Sequence, residues 1–327
     1  LIVWHEDVLG QGFQARELKL GTDAEGDVIA TLVKAPAPTF NKGMRSWFRA
    51  KPVAANTDVL YVHGWSDYFF QDHLATFWHN EGAHFFALDL RKYGRSLREG
   101  QTPGYVDNLE TYFEDIDAAI AAMGPRRGRR LVLMGHSTGG LTLSLWAAMH
   151  PKRFDVLILN SPWLEYQLSG TARTAIKPAL DVTARFDPKR PMPNIDFGFY
   201  TRTVSSEFDG EWDVNLHWRP LRGFPVRTGW LKAVLAGHAR VASGLSIEAP
   251  TLVMLSTRSI LSPRWSPDMA RADVAIDVNI VARRAINLGN NVTIRRIDDA
   301  MHDVFLSTND ARAKAFAALR SWLRGNL

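Results

Sequence analysis

From Val59 onward, apolar residues fall into two alternating patterns. Val59-Leu60-Tyr61-Val62, Phe85-Phe86-Ala87-Leu88, Leu131 to Met134 and Val156 to Leu159 are short unbroken apolar runs, of the kind that fill a strand buried on both faces. Between them lie Leu74 to Glu81, Leu109 to Met123 and Leu141 to Met149. Here apolar residues return at helical spacing; Ile116, Ile120 and Met123 share one face. Strand and helix in alternation predict a parallel sheet with crossover helices.

The alternation stops at Trp163. As far as Ser246 the chain is rich in Pro, Gly and aromatic residues, with PKRPMPNIDFGFY and EWDVNLHWRPLRGFP as its extremes. It resumes with a strand at Thr251 to Leu255, a helix at Asn279 to Leu288, a strand at Val292 to Ile297 and a terminal helix at Asp310 to Leu323. An unstructured loop of that length does not suit a compact domain. The expectation is a core formed by 1–162 and 247–327, with 163–246 as an inserted cap.

Composition narrows the chemistry. The chain has 327 residues, 46% of them hydrophobic and 22% charged, as in an ordinary globular protein with a sizeable core. It contains no cysteine, which excludes disulfides, thiolate metal sites and a cysteine nucleophile. No apolar run reaches about 18 residues, so no membrane-spanning helix is expected. Glu6 and Asp7 come early and no basic leader precedes them, so a signal peptide is not expected and the default location is cytoplasmic. The net charge is +5. The densest basic stretch, Arg126-Arg127-Gly128-Arg129-Arg130, lacks interleaved aromatics and reads as a solvated loop, not a nucleic-acid site. No H-E-x-x-H or comparable ligand set occurs, so neither a metal nor a cofactor is expected.

One stretch carries chemistry. In LVLMGHSTGGLTLSLWA, Ser137 lies between Gly135 and Gly139 where a strand turns into a helix. A hydroxyl on such a turn is lifted clear of the sheet, and side chains in place of the glycines would collide with the neighbouring strand and helix. The following helix aims its free N–H groups at a developing oxyanion. Ser137 is the candidate nucleophile.

His63-Gly64-Trp65, the run Asp89-Leu90-Arg91-Lys92-Tyr93-Gly94-Arg95-Ser96, the Ser137 turn and Met301-His302-Asp303 occur in the order of an α/β-hydrolase. The chain resembles that superfamily, and within it the monoacylglycerol lipase and lysophospholipase branch. The resemblance implies a mostly parallel central sheet flanked by helices, with a cap, or lid, inserted after the sixth strand. It implies an oxyanion hole made by the backbone N–H groups of Trp65 and Thr138. His63 and Gly64 would support that loop, and Asp89 and Arg95 would order a structural turn.

A serine hydroxyl needs a base, and the base an orienting acid, in the chain order Ser, Asp or Glu, His. Of the ten histidines, His302 lies after the last strand and before the terminal helix. The acid departs from the family pattern. After Thr251 to Leu255, where an aspartate is usual, the chain reads Ser256-Thr257-Arg258-Ser259-Ile260-Leu261. Asp273 resembles the family's acid if Ser259 to Arg271 is an insertion. Asp277 is the second choice and also suits a helix cap; Asp298 and Asp299 sit beside the histidine loop and are weaker.

Trp163, Tyr166, Phe186, Phe197, Phe199, Tyr200, Phe208, Trp212, Trp218, Phe224 and Trp230 are expected to form a small core for the cap and to line an apolar pocket. Arg219 and Arg222 read as salt-bridged cap surface. The leading expectation is a serine hydrolase acting on small-molecule acyl esters, of glycerol or of a lysophospholipid type. Transient contact with a lipid surface stays open, and the oligomeric state is not legible. Two alternatives remain. An aminopeptidase or amidase would need a cap acid such as Glu165, Glu207 or Glu211 to receive an ammonium group. A binding protein without activity is the other.

Overall fold

The computed structural model describes residues 3–38, 52–166 and 170–327. Among the described residues the strands are β1 (His5–Glu6), β2 (Gln14–Asp23), β3 (Gly26–Lys34), β4 (Thr57–Val62), β5 (His84–Asp89), β6 (Arg130–His136), β7 (Val156–Asn160), β8 (Thr251–Ser256) and β9 (Val292–Ile297). They form one sheet in the order β1-β2-β3-β5-β4-β6-β7-β8-β9. The first three strands and the β3–β5 junction are antiparallel; from β5 to β9 every neighbour is parallel.

Strand side chains alternate between two cores, as the pleat requires. Leu60, Val62, Leu131, Leu133, Leu157 and Leu159 face one side of the sheet. Val59, Tyr61, Val132, Met134, Val156 and Ile158 face the other. Helices α1 (Asp72–Asn80) and α8 (Asn309–Asn326) cover the second side through Leu74, Trp78, Leu319 and Leu323. Helices α2 (Thr111–Ala122), α3 (Ser137–Met149), α6 (Thr228–Ala242) and α7 (Val278–Ala285) cover the first. The two remaining helices, α4 (Gly170–Phe186) and α5 (Phe199–Val204), belong with α6 to the segment between β7 and β8. β7 is the sixth strand once the two-residue edge strand β1 is set aside.

Three features differ from expectation. The β2–β3 hairpin is absent from the sequence reading: β2 is half exposed and carries polar residues along its length, while the buried run Val28–Val33 of β3 carried a local signal that went unread. Helix α3 starts at Ser137, earlier than the expected Leu141, since Gly139 and Gly140 weaken the helical signal. Within 163–246, Phe224 and Trp230 join the main core, while Phe186 and Phe197 are 81% and 52% exposed. The aromatic residues of this segment divide: Trp163, Tyr166, Phe224 and Trp230 pack on the main core, while Tyr200, Trp212 and Trp218 join a separate small cluster in which Val204 and Val214 meet Tyr68, Phe70, Met301 and Leu306 of the αβ core. Among the described residues no helix is long and apolar enough to cross a membrane.

The connectivity fixes where a site forms. The chain leaves β4 towards β5 on one side and returns to β6 on the other, and β4 and β6 pair in register from Thr57↔Arg130 to Val62↔Gly135. The loops after the two strands emerge side by side at this switch point, where open α/β sheets place their ligands.

Candidate active site

β6 passes into α3 through Ser137, whose φ is +51°, a left-handed value unfavourable for a residue with a side chain. The turn closes only because its neighbours are small. A Cβ on Gly139 would lie 2.2 Å from the His63 carbonyl oxygen, and one on Gly135 would lie 2.9 Å from the Gly139 carbonyl. On the other side, a Cβ on Gly64 would approach the Ser137 Cβ to 3.0 Å. The His63-Gly64-Trp65 loop thus runs directly beside Ser137.

His63 is buried and braces that loop from inside. Its Nδ1 donates to the Gly64 carbonyl at 2.7 Å, which leaves Nε2 to accept the Leu90 N–H at 3.1 Å. Asp89 accepts from the Phe69 N–H at 2.8 Å and from Arg95, whose guanidinium also forks onto Asp7 at 2.6 and 2.8 Å. These contacts order the turn and leave neither residue free for chemistry.

His302 and Asp273 meet. His302 Nδ1 lies 2.8 Å from Asp273 Oδ2, with both side chains buried. The other Asp273 oxygen accepts the N–H groups of Ala275 and Ile276 at 2.8 and 2.9 Å, so both carboxylate oxygens are bonded and the group is fixed in orientation. The His302 ring is 4.9 Å from that of His136, the residue before Ser137. Asp277 takes a different place: it caps α7, accepting from Asn279 and Ile280 N–H. Asp298 and Asp299 are exposed at the end of β9.

Arg219 corrects an expectation. It is salt-bridged, but buried, with Nη1 2.8 Å from Asp67 Oδ1. Arg222 is on the surface as expected, bonded through Nε to the Asp196 carbonyl at 2.9 Å. In the basic run, Arg129 reaches inward to the buried Asp58 at 2.8 Å. Among the described residues no group of three or more His, Asp or Glu side chains is placed to hold a metal ion.

Two further groups, Asn160 and the cap aromatic Tyr200, have contacts at the site that the sequence did not show. Asn160, at the end of β7, donates to Asp303 Oδ1 at 2.6 Å and accepts from the Val304 N–H at 3.1 Å, locking the loop that carries His302. Its position at the end of a strand was visible in the sequence; its partner was not. Tyr200 of α5 sets its ring edge against His302 at 5.0 Å and its hydroxyl 3.1 Å from His136 Nε2. His136 Nδ1 faces the Asn160 carbonyl at 3.1 Å and must donate to it, so Nε2 accepts from the phenol. Burial lowers the His136 imidazole and raises the Tyr200 phenol, which keeps both neutral.

The fold is shared widely. A monoacylglycerol lipase from Paleococcus ferrophilus is 19% identical, with a TM-score of 0.61 over 83% of this chain and 95% of that one. A soluble variant of the Saccharomyces cerevisiae monoglyceride lipase, in complex with a substrate analogue, is 14% identical, with a TM-score of 0.64 over 100% and 94%. A thermophilic esterase from Thermogutta terrifontis is 19% identical, with a TM-score of 0.55 over 95% and 98%. These likenesses establish the α/β-hydrolase fold. Residues 54–308 match the Hydrolase_4 family, described as "Serine aminopeptidase, S33". With most of its length so matched, its sheet order and its switch-point site, the chain belongs to the Hydrolase_4 family of α/β-hydrolases.

Proposed function

We propose that the protein is a serine hydrolase of carboxylic esters, with acylglycerols or lysophospholipids as its substrate class. The observation that carries this reading is the buried His302–Asp273 hydrogen bond beside the left-handed turn at Ser137. Ser137 Oγ attacks the ester carbonyl while His302 Nε2 takes its proton. Asp273 holds the imidazole in the tautomer with Nδ1–H and stabilises the imidazolium that forms. The N–H groups of Trp65 and Thr138 stabilise the oxyanion. His302 returns the proton to the leaving alkoxide, then activates water to release the acid from the acyl-enzyme.

Residues 163–246 serve as a cap over this centre. Tyr200 and Arg219 come from it and meet His136 and the loop after β4. The likeness to monoacylglycerol lipases favours a glycerol or glycerol-like leaving group. The cap acids weigh against an ammonium-binding aminopeptidase site: Glu165 pairs with Arg284, Glu211 with Arg312 at 3.4 Å, and Glu207 is exposed.

Hydrolysis of p-nitrophenyl esters from acetyl to palmitoyl, and of monoacylglycerols and lysophospholipids, tests the reading. Turnover that vanishes in Ser137→Ala supports it. Ester turnover that survives the substitution, or turnover confined to amides, overturns it.

A further inference from the structure

The loop carrying Trp65 is bound to the cap at four successive residues. The Trp65 ring packs on Trp230 with centroids 3.7 Å apart. Ser66 Oγ accepts the Phe224 N–H at 3.0 Å. Asp67 Oδ1 accepts from Arg219 at 2.8 Å. Tyr68 accepts the Asn215 N–H on its hydroxyl at 2.8 Å and meets the Trp218 ring edge-on at 5.1 Å.

This loop is strained where the contacts concentrate. Ser66 has φ +52°, in the left-handed region, and a non-glycine residue stays there only when its surroundings over-determine it. The turn at Ser66 sets the direction in which the Gly64–Trp65 peptide is presented to Ser137. What holds the turn is a cap N–H on the Ser66 side chain and a cap guanidinium on the next residue.

The Arg219–Asp67 pair is poorly explained as a stabilising device. Both side chains are 3% exposed or less, and Asp67 Oδ2 is buried with no hydrogen-bond partner among the described residues. Burying two charges with one carboxylate oxygen left over gains little net stability compared with an apolar pair of the same shape. It does fix geometry. Nor does Arg219 stand open to an anionic substrate: its side chain is 2% exposed, Asp67 accepts from its Nη1, and its guanidinium lies over the Tyr200 ring, 4.6 Å from the centroid.

We propose that Arg219 is a positioning residue for the oxyanion hole: by anchoring Asp67 it holds the Gly64–Trp65 peptide against Ser137, so the cap is a working part of transition-state stabilisation. The inference rests on the reading of Trp65 N–H as an oxyanion donor.

The test reads oxyanion stabilisation directly. Ser137 Oγ adds to the carbonyl carbon of a trifluoromethyl ketone carrying the preferred acyl chain, its proton passes to His302 Nε2, the C=O π pair moves onto oxygen, and the alkoxide so formed occupies the hole. Loss of a whole oxyanion donor lowers kcat about 10²–10³-fold; a donor displaced but still present should cost about 10–100-fold. Arg219→Met is expected to lower kcat and weaken ketone binding by the same factor, with KM within about threefold. Arg219→Lys, which keeps the charge but loses the planar guanidinium over the Tyr200 ring, should fall between. Should Arg219→Met fail to fold, the double variant Asp67→Leu/Arg219→Met and the single variant Ser66→Ala give the same readout. A folded variant that keeps kcat and ketone affinity within about twofold, or changes KM alone, overturns the inference. Ser137→Ala separates the two levels. If it retains turnover, the functional reading has failed; if it is inert while the Arg219 variants are silent, only the present inference has.

Discussion

Asp273 reaches His302 because its backbone is paired with Ser259, on the far side of an excursion of the chain. The Asp273 N–H donates to the Arg258 carbonyl at 3.0 Å, and the Ile260 N–H to the Asp273 carbonyl at 2.8 Å. Ser259 Oγ accepts the Val278 N–H at 3.0 Å and donates to the Ile276 carbonyl at 2.8 Å, closing the base of the loop. The carboxylate is thereby held just beyond the end of β8, where it would stand if the excursion were absent.

If Asp273 is the orienting acid, Asp273→Asn lowers kcat about 10³–10⁴-fold with little change in KM, because the amide favours the wrong imidazole tautomer. Asp277 serves α7 instead. Asp277→Ala should cost about 1 kcal/mol of stability through the lost cap and leave kcat within about threefold. Steady-state kinetics with urea unfolding on both variants checks the assignment, and an exchange of the two phenotypes would transfer the acid to Asp277.

The glycines around Ser137 make a second prediction, on packing. At Gly139 an added methyl would meet a backbone carbonyl, which cannot swing aside as a flexible side chain would. Gly139→Ala is expected to lose about 3 kcal/mol or to displace the His63 loop. Urea denaturation measures the loss. A variant as stable and as active as the parent would show that the turn has room that this geometry denies it.

The parts legible in the sequence are those whose signal is local. β4 to β8 are buried along nearly their whole length and largely apolar; β9 is only partly buried and carries Thr293, Arg295 and Arg296, yet spans Val292–Ile297 as read. The glycine spacing around Ser137 is equally local. β2 escaped because a half-exposed antiparallel strand such as QARELKLGTD carries little alternation. Asn160–Asp303 and Arg219–Asp67 escaped for another reason: their partners lie 143 and 152 positions away. Which loops face each other at the carboxyl edge of the sheet follows from the strand order, and only the fold supplies that. The Ser259–Arg271 insertion was legible as an interruption, but its purpose was not.

Acid should weaken the fold at the β2–β3 turn. Burial by itself would raise the Glu25 carboxyl, but hydrogen bonds from Lys189, Lys92 and Thr102 outweigh it and hold the group at about 2. In the unfolded chain the same carboxyl takes its proton near 4.5. Its stabilisation is therefore whole above about pH 5 and is lost as pH falls towards 2. The size should be about 1–2 kcal/mol once solvent screening is allowed for. Thermal melts of the parent and of Glu25→Gln between pH 2 and 6 test this. The parent should fall more steeply with acid, and parallel curves would remove Glu25 from the account.

The excursion itself works for the cap more than for the acid. Trp265, near its middle, packs on Phe199 at 5.6 Å and lies 4.0 Å beneath the Arg202 guanidinium, both on α5. Tyr200 of the same helix touches His302 and His136. Removing the indole should loosen α5 by about 1–2 kcal/mol through the lost aromatic and cation–π contacts. The stem that holds Asp273 would stay intact. Trp265→Ala is accordingly expected to speed amide hydrogen exchange across Phe199–Val204 while kcat on a short-chain ester stays within about threefold, and Trp265→Phe should restore part of the protection. A fall in kcat as deep as that expected for Asp273→Asn, with α5 exchange unchanged, would mean that the excursion positions the acid after all.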